Sequence, residues 1–258
     1  PVHPACQPVR RAAVPVLVLA ERTGPPTLST PIPTPEGLTV DRNPQHDPWH
    51  QRWQAGRIGF HRDDTHPMLE SFWPRLGLRG DETVFVPLAG KSLDMRWLAA
   101  RGHRVLGVEL SPIAARQFFD EARETFDVLG RDGFEVFRAG AVELWVGDVF
   151  DLTAAHLSTC DAFYDRASVV ALDPPTRRRY AAHLAAVLAP GTRGLLIGLE
   201  SMDDDAHGPP FSVPQEEIGA LFASAFEHEV LLKPNPDSAP EVRALFEHVH
   251  ALRRFGGG

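Results

Sequence analysis

The sequence predicts an α/β protein: a doubly wound, mostly parallel sheet with helices on both faces. Three observations carry this. From residue 83 onward short apolar runs alternate with amphipathic segments. The connections between them are short, as parallel βα units require. One unit, 83–111 (TVFVPLAGKSLDMRWLAARGHRVLGVELS), runs strand, small-residue turn, helix, strand and terminal acid. In α/β proteins that layout holds an adenosine-type ligand.

The elements follow in order. Nine of the 24 prolines lie in the first 35 residues, with few charges, so residues 1 to about 43 are expected to form a largely disordered extension. The folded domain is expected over 44–258. Residues 48–54 start a short helix with Trp49 and Trp53 on one face. A helix over 67–76 ends at Gly77. Strand 83–88, helix 92–101, strand 104–110 and helix 112–126 come next. Asp132-Gly133 is a turn before two extended runs, 135–138 and 142–146. Strand 161–165 precedes a helix from 176 to 188, closed by Pro190-Gly191, and 194–200 is a strand. A polar loop, 202–210, leads to helix 214–225. The last two strands, near 228–233 and 245–253, have no helix between them and predict an antiparallel hairpin at one edge.

Composition sets limits on function. The net charge of −8 argues against a nucleic-acid surface. Two cysteines, Cys6 and Cys160, make no disulfide framework, which favours a reducing compartment and a cytoplasmic location. No apolar run is long enough to span a membrane. Arg10-Arg11 followed by 12–20 has a faint leader-like pattern, but Pro15 interrupts it. A monomer acting on a small molecule is the expectation.

Three ligands compete for the 83–111 unit. Gly90-Lys91-Ser92 matches the end of a P-loop, yet Phe85 stands where the first glycine is needed. A dinucleotide site needs several glycines to bring bare backbone to a diphosphate, and the turn offers one. S-adenosylmethionine carries no phosphate. It needs a close turn, an acid for the ribose (Glu109) and an acid or amide near the adenine, for which Asp148, with Val149 beside it, is the candidate.

At this point the residues resemble a family. W-H-Q-R-W-x(3)-R-I-G-F-H (49–61), P-L-A-G-K-S-L-D-M-x-W-L (87–98), G-H-R-V-L-G-V-E-L-S (102–111), F-F-x-E (118–121), Y-D-R-A-S-V-V-A-L (164–172) and G-P-P-F-S-V (208–213) are similar to the thiopurine S-methyltransferases, in order and at matching spacing. The resemblance implies a class I methyltransferase, with a seven-stranded Rossmann-like sheet, S-adenosyl-L-methionine as cofactor and methyl transfer to a thiol. It implies that Trp53, Leu88, Glu109 and Arg166 contact the cofactor, with Trp49 close by and Asp148 and Val149 at the adenine. Phe60 and Pro210, in the Gly208-Pro209-Pro210-Phe211 loop, fall on the substrate side, and Arg166 serves both ligands and is the catalytic candidate. Two departures stand out. Ala89 replaces the usual Cys of the turn, and Arg243 is not in register with the family's second substrate-side arginine.

Each residue has a plainer alternative. Trp49 and Trp53 could staple a helix to the core, Asp148 could be a loop aspartate, and Arg166 could pair with Asp165 at the surface. The 208–211 loop could be a simple connection. His46 and His50 lack a third ligand for zinc. His248 and His250 share a strand face and are expected to be solvated, as most of the twelve histidines are. Selenium or tellurium acceptors, a halide/thiol methyltransferase and a non-catalytic binder of thiols or metalloids are the other functional readings. Asp165-Arg166-Ala167 speaks against the halide enzyme.

Overall fold

The computed structural model describes residues 46–201, 208–234 and 245–256. The expected 1–43 extension and Arg243 lie outside the described residues. Among the described residues nine strands form one sheet, and two helical layers enclose it.

The strands are β1 (Thr83–Val86), β2 (Arg104–Glu109), β3 (Asp127–Arg131), β4 (Phe134–Ala139), β5 (Val142–Val146), β6 (Cys160–Arg166), β7 (Arg193–Ser201), β8 (Phe226–Leu232) and β9 (Leu245–Arg254). Their order is β3-β4-β5-β2-β1-β6-β7-β9-β8. The stretch from β5 to β7 is parallel throughout. β9 runs antiparallel between β7 and β8, so only β8 of the expected terminal hairpin is an edge strand.

The sheet exceeds the seven strands that the resemblance implies by the β3–β4 pair, of which β4 matches the expected extended run 135–138 and β3 was not expected. A two-residue turn at Asp132 and Gly133, both at positive φ, joins them. β3 reads DVLGR, contains a glycine and buries neither face, so no period-two pattern announces it. Its sequence was expected to follow a helix running to 126. Instead the helix ends at Glu121, and Arg123 turns into the left-handed region.

The α-helices of the described residues are α1 (Asp47–Gln54), α2 (Pro67–Phe72), α3 (Asp94–Ala100), α4 (Pro112–Glu121), α5 (Ser168–Ala171), α6 (Pro174–Val187) and α7 (Gln215–Phe222). Strand alternation sorts the core. Val84 and Val86 join Met68, Leu69, Met95, Leu98 and Phe119 of α2, α3 and α4. Phe85 points the other way, into Tyr180, Leu184, Ile218 and Phe222 of α6 and α7. All four β1 residues are buried, as a central parallel strand covered on both faces must be. Each fully buried side chain of this size contributes roughly 1.5–3 kcal/mol.

β1 is the strand at which the winding reverses, with β2 on one side and β6 on the other. Ligands in open α/β sheets bind in that crevice, at the carboxyl ends of the strands.

Candidate active site

Backbone strain marks both lips of the crevice. Leu88, just past β1, sits at φ 46°, and Ala167, just past β6, at φ 65°. Holding a non-glycine residue in the left-handed region costs roughly 1–3 kcal/mol and clusters at functional sites. The Ser168 hydroxyl donates to the Pro87 carbonyl at 3.4 Å and ties the two lips together.

On the β1 side the Ala89 amide donates to the Val108 carbonyl at 2.9 Å and folds the turn back onto β2. Glu109, at the end of β2, closes the turn from below. One carboxylate oxygen accepts from the Gly90 amide at 2.9 Å and the other from the Ser111 amide at 2.8 Å. Burial pushes the Glu109 carboxyl up to about 7, and the Ser111 and Gly90 amides pull against that rise.

α1 lies over the turn. The Trp53 ring is 3.5 Å from where a Cβ on Gly90 would stand, and Trp53 is 5% exposed. Phe60 meets both Trp49 and Trp53 edge to face, with ring centroids 5.9 Å and 5.6 Å apart. Trp49 and Phe60 are half-buried. His46 Nε2 reaches Asp148 Oδ2 at 3.2 Å, so the start of α1 touches the loop after β5. The other Asp148 oxygen accepts from the Phe150 amide at 2.9 Å. Val149 is buried beside it, and its carbonyl is 2.8 Å from His183 Nε2.

Arg166 ends β6. The plainer alternative, a surface pairing with Asp165, does not form, because successive strand residues face opposite ways. Asp165 is fully buried on the α6 side, where it accepts from the Tyr180 hydroxyl at 2.7 Å. Arg166 Nε instead lies 3.4 Å from Asp94 Oδ2. Asp94 also accepts from the Tyr164 hydroxyl at 2.9 Å and the His66 amide at 2.8 Å.

The loop at 208–213 is anchored next to the Arg166 turn. The Phe211 amide donates to the Val170 carbonyl of α5 at 2.7 Å, and the Phe211 ring lies over Gly208. Pro210, half-buried, is thereby held beside the turn that follows Arg166.

Several residues gain a place here that sequence reasoning did not give them. Asp94 lies inside the PLAGKSLDM motif but received no role. Lys91 of that motif pairs with Glu121 of F-F-x-E, so two motifs read separately are one contact. His61 borders a cavity of about 290 Å³ with Lys91, Leu93 and Phe118. Burial first, then the Lys91 charge and more weakly that of Arg166, lower its pKa. Their charge and motif membership were the available signals. A larger groove of about 640 Å³ runs between α6 and α7, away from this crevice.

The plainer chemistries gain nothing from the geometry. Cys160 is buried, and burial pushes its thiol up to about 12. Among the described residues no group of three or more His, Cys, Asp or Glu is arranged to hold a metal ion, and no helix is long and apolar enough to cross a membrane. The expectation of solvated histidines fails at His66, His103, His248 and His250, all buried, because each finds a polar partner inside.

Comparison with known proteins gives the family. The family model described as thiopurine S-methyltransferase matches residues 44–255. A thiopurine S-methyltransferase of Pseudomonas fluorescens (strain Pf0-1) is 49% identical over 183 residues, covering 71% of this chain and 84% of the relative. One from Xanthomonas campestris pv. campestris (strain 8004) is 46% identical over 219 residues, covering 81% and 98%. Among solved structures, the Burkholderia thailandensis 1,6-didemethyltoxoflavin-N1-methyltransferase, bound to its acceptor and S-adenosylhomocysteine, has a TM-score of 0.57 at 19% identity, covering 88% of this chain and 93% of that one. The cyclase SpnF shares the fold at a TM-score of 0.54 and 14% identity, covering 74% and 81%, so the fold alone does not fix the reaction. Family match and close relatives together do: the chain belongs to the thiopurine S-methyltransferase family and is an S-adenosyl-L-methionine-dependent methyltransferase.

Proposed function

We propose that this protein transfers the methyl group of S-adenosyl-L-methionine to the sulfur of a thiopurine or a related aromatic or heterocyclic thiol. The observation that carries the reading is the meeting of three features at one crevice. These are Glu109 under the Gly90 turn, the aromatic wall of Trp49, Trp53 and Phe60, and the Arg166 guanidinium.

The residues fit the cofactor. Each oxygen of Glu109 accepts one amide, which leaves a lone pair on each for a ribose hydroxyl. Asp148 and Val149 would take the adenine, with the His46 contact exchanging for it. Leu88 borders the methionine portion, and Trp53 offers a π face to a sulfonium. When bound, the cofactor supplies an activated methyl group on that sulfonium.

The protein's own work is then alignment and exclusion of water, which together supply roughly 7–11 kcal/mol in well-oriented reactions. Phe60 and Pro210 would sandwich a flat acceptor. Arg166, held at Nε by Asp94, turns its remaining donors to an anionic sulfur and stabilises the thiolate. Aromatic thiols ionise readily near neutrality, so no general base is assigned. Reduced selenium or tellurium acceptors, soft anions like a thiolate, fall within the same requirements. A monomeric, cytoplasmic enzyme without a nucleic-acid partner is part of the proposal; the net charge of −8 supports the last of these.

The test is a methyl-transfer assay with isotopically labelled S-adenosyl-L-methionine across thiopurine, thiophenol, selenite, tellurite and iodide. S-methylated thiopurine is the expected product. Methyl iodide without a thioether would favour the halide reading. Absence of cofactor binding in calorimetry at millimolar concentration would leave only a non-catalytic binder.

A further inference from the structure

Three histidines form a line through the β8–β9 end of the sheet. His228 Nε2 lies 2.6 Å from His250 Nδ1, and His250 Nε2 lies 2.6 Å from His248 Nδ1. His248 Nε2 then lies 2.9 Å from the Val213 carbonyl oxygen. His248 and His250 are fully buried and His228 is half-buried.

The proton positions follow from chemistry. A carbonyl only accepts, so His248 Nε2 carries the hydrogen. Burial lowers all three rings below the ordinary histidine range, and His250, which also faces two other rings, falls to about 3. Each ring is therefore neutral near pH 7 and holds one N–H. The unprotonated His248 Nδ1 accepts from His250 Nε2–H, and His250 Nδ1 accepts from His228 Nε2–H. All three are Nε2–H tautomers, pointing one way along the chain.

That chain ends on one carbonyl. Val213 closes the 208–213 loop, and its own amide donates to the Leu199 carbonyl of β7 at 2.9 Å. Both backbone groups at the foot of the loop are thus held, one by the sheet and one by His248. The sequence also makes room for the ring. Gly198 pairs across from His248, and a Cβ there would stand 2.2 Å from the imidazole Cε1. Val213, on whose carbonyl the line ends, lies in an apolar cluster with Ile218, Phe222 and Leu252, and Glu216 and Glu247 are the charged groups that act on His248 from outside the line.

We infer that His248, locked in one tautomer by His250 and His228, is a positioning residue for the methyl acceptor: it fixes the foot of the 208–213 loop and so the Pro209-Pro210 wall. The inference rests on the reading of that loop as the acceptor side.

Nitrogen-15 NMR of the histidine rings in the full chain at pH 7 tests the geometry, and three Nε2–H tautomers are expected. A Nδ1–H form at His248 overturns it. Kinetics test the consequence. His248→Leu should raise the acceptor KM about tenfold, the size of one buried hydrogen bond, with kcat and S-adenosylhomocysteine affinity within about twofold. His248→Gln, whose amide can reach the same carbonyl, should restore KM. A His248→Leu enzyme with unchanged KM, or one that loses kcat, cofactor affinity and melting temperature together, overturns the positioning role. If that variant does not fold, His250→Phe decides, and an unchanged acceptor KM there is the overturning result. Pro210→Ala separates the two levels. If it moves KM while the histidine variants do not, the loop reading stands and the inference fails. If neither moves KM, both fail.

Discussion

Asp94 holds Arg166 by its Nε, at 3.4 Å, while the Tyr164 hydroxyl and the His66 amide hold Asp94 from behind. The carboxylate is 1% exposed, so it is a fixed point, and the guanidinium at the crevice takes its direction from it. The contact is an ion pair at one nitrogen of a planar guanidinium, whose other nitrogens stay available to the crevice, and an ammonium has no such fork.

Arg166→Ala is therefore expected to lower kcat/KM for a thiopurine about a hundredfold, the scale of losing one electrostatic stabiliser of the reacting charge. Arg166→Lys should recover little of it. Steady-state kinetics at saturating cofactor check this, and an alanine variant within twofold of wild type would remove Arg166 from the mechanism. Asp94→Asn should lower kcat/KM less while costing about 1–3 kcal/mol in urea unfolding, because a buried network loses its charge-assisted bonds.

Glu109 sets function against stability. Its carboxyl rises from 4.5 to about 7 in the folded protein, chiefly through burial. Between those values the native state binds more protons than the unfolded one, so this group's contribution falls as pH rises through 7. The full shift corresponds to about 3 kcal/mol. Glu109→Gln should thus be at least as stable as wild type at pH 8, yet bind S-adenosylhomocysteine more than about tenfold more weakly, having lost a charged acceptor. Because hydroxyl donors favour the ionised carboxylate, wild-type affinity should increase from pH 6 to 8. Calorimetry in buffers of different ionisation heat should show proton release on binding near pH 6, and affinity flat across that range would refute the linkage.

How far the sequence could be read follows from which interactions are local. The 83–111 unit, the strand ends and Glu109 were legible because period, turn residues and spacing are local signals. The edge hairpin was half seen: Asp132-Gly133 marks the turn, but β3 exposes both faces and has no pattern to read. Asp94 and Arg166 lie 72 positions apart, and only the β1–β6 neighbourhood brings them together. The buried histidines were misread for the same reason. A histidine pair on a strand looks solvated until a third ring and a carbonyl arrive from other elements.

Trp53 joins α1 to the turn, packed between Gly90 and Phe60. Trp53→Ala should leave the sheet intact but undock α1. Hydrogen exchange over 46–61 should accelerate, and in wild type it should slow when S-adenosylhomocysteine is added. The melting temperature should fall by only a few degrees, since α1 lies outside the two core layers. A loss comparable to a core Trp→Ala substitution, about 3–5 kcal/mol, would mean that α1 is part of the main core instead.

The histidine line gives stability a pH dependence opposite in sign to that of Glu109. His248 and His250 are neutral when folded and titrate near 6.5 when unfolded, so the unfolded chain binds more protons as pH falls below 6.5. Their contribution is complete above 6.5 and is lost on acidification. The groups that face His248 from outside the line, Glu216 at the start of α7 and Glu247 next to it on β9, favour its charged form but do not overcome burial. For His250 alone, moving from pH 6.5 to 5 removes about 2 kcal/mol. His250→Phe keeps the ring volume and abolishes the titration, but removes the ring that pairs with His248 Nδ1 and His228 Nε2. It should be less stable than wild type at pH 7 by about 1–3 kcal/mol. Between pH 6.5 and 5 it should lose about 2 kcal/mol less than wild type does. Urea unfolding at the two pH values measures both numbers. Parallel losses in the two proteins would mean that His250 is not held neutral by the fold.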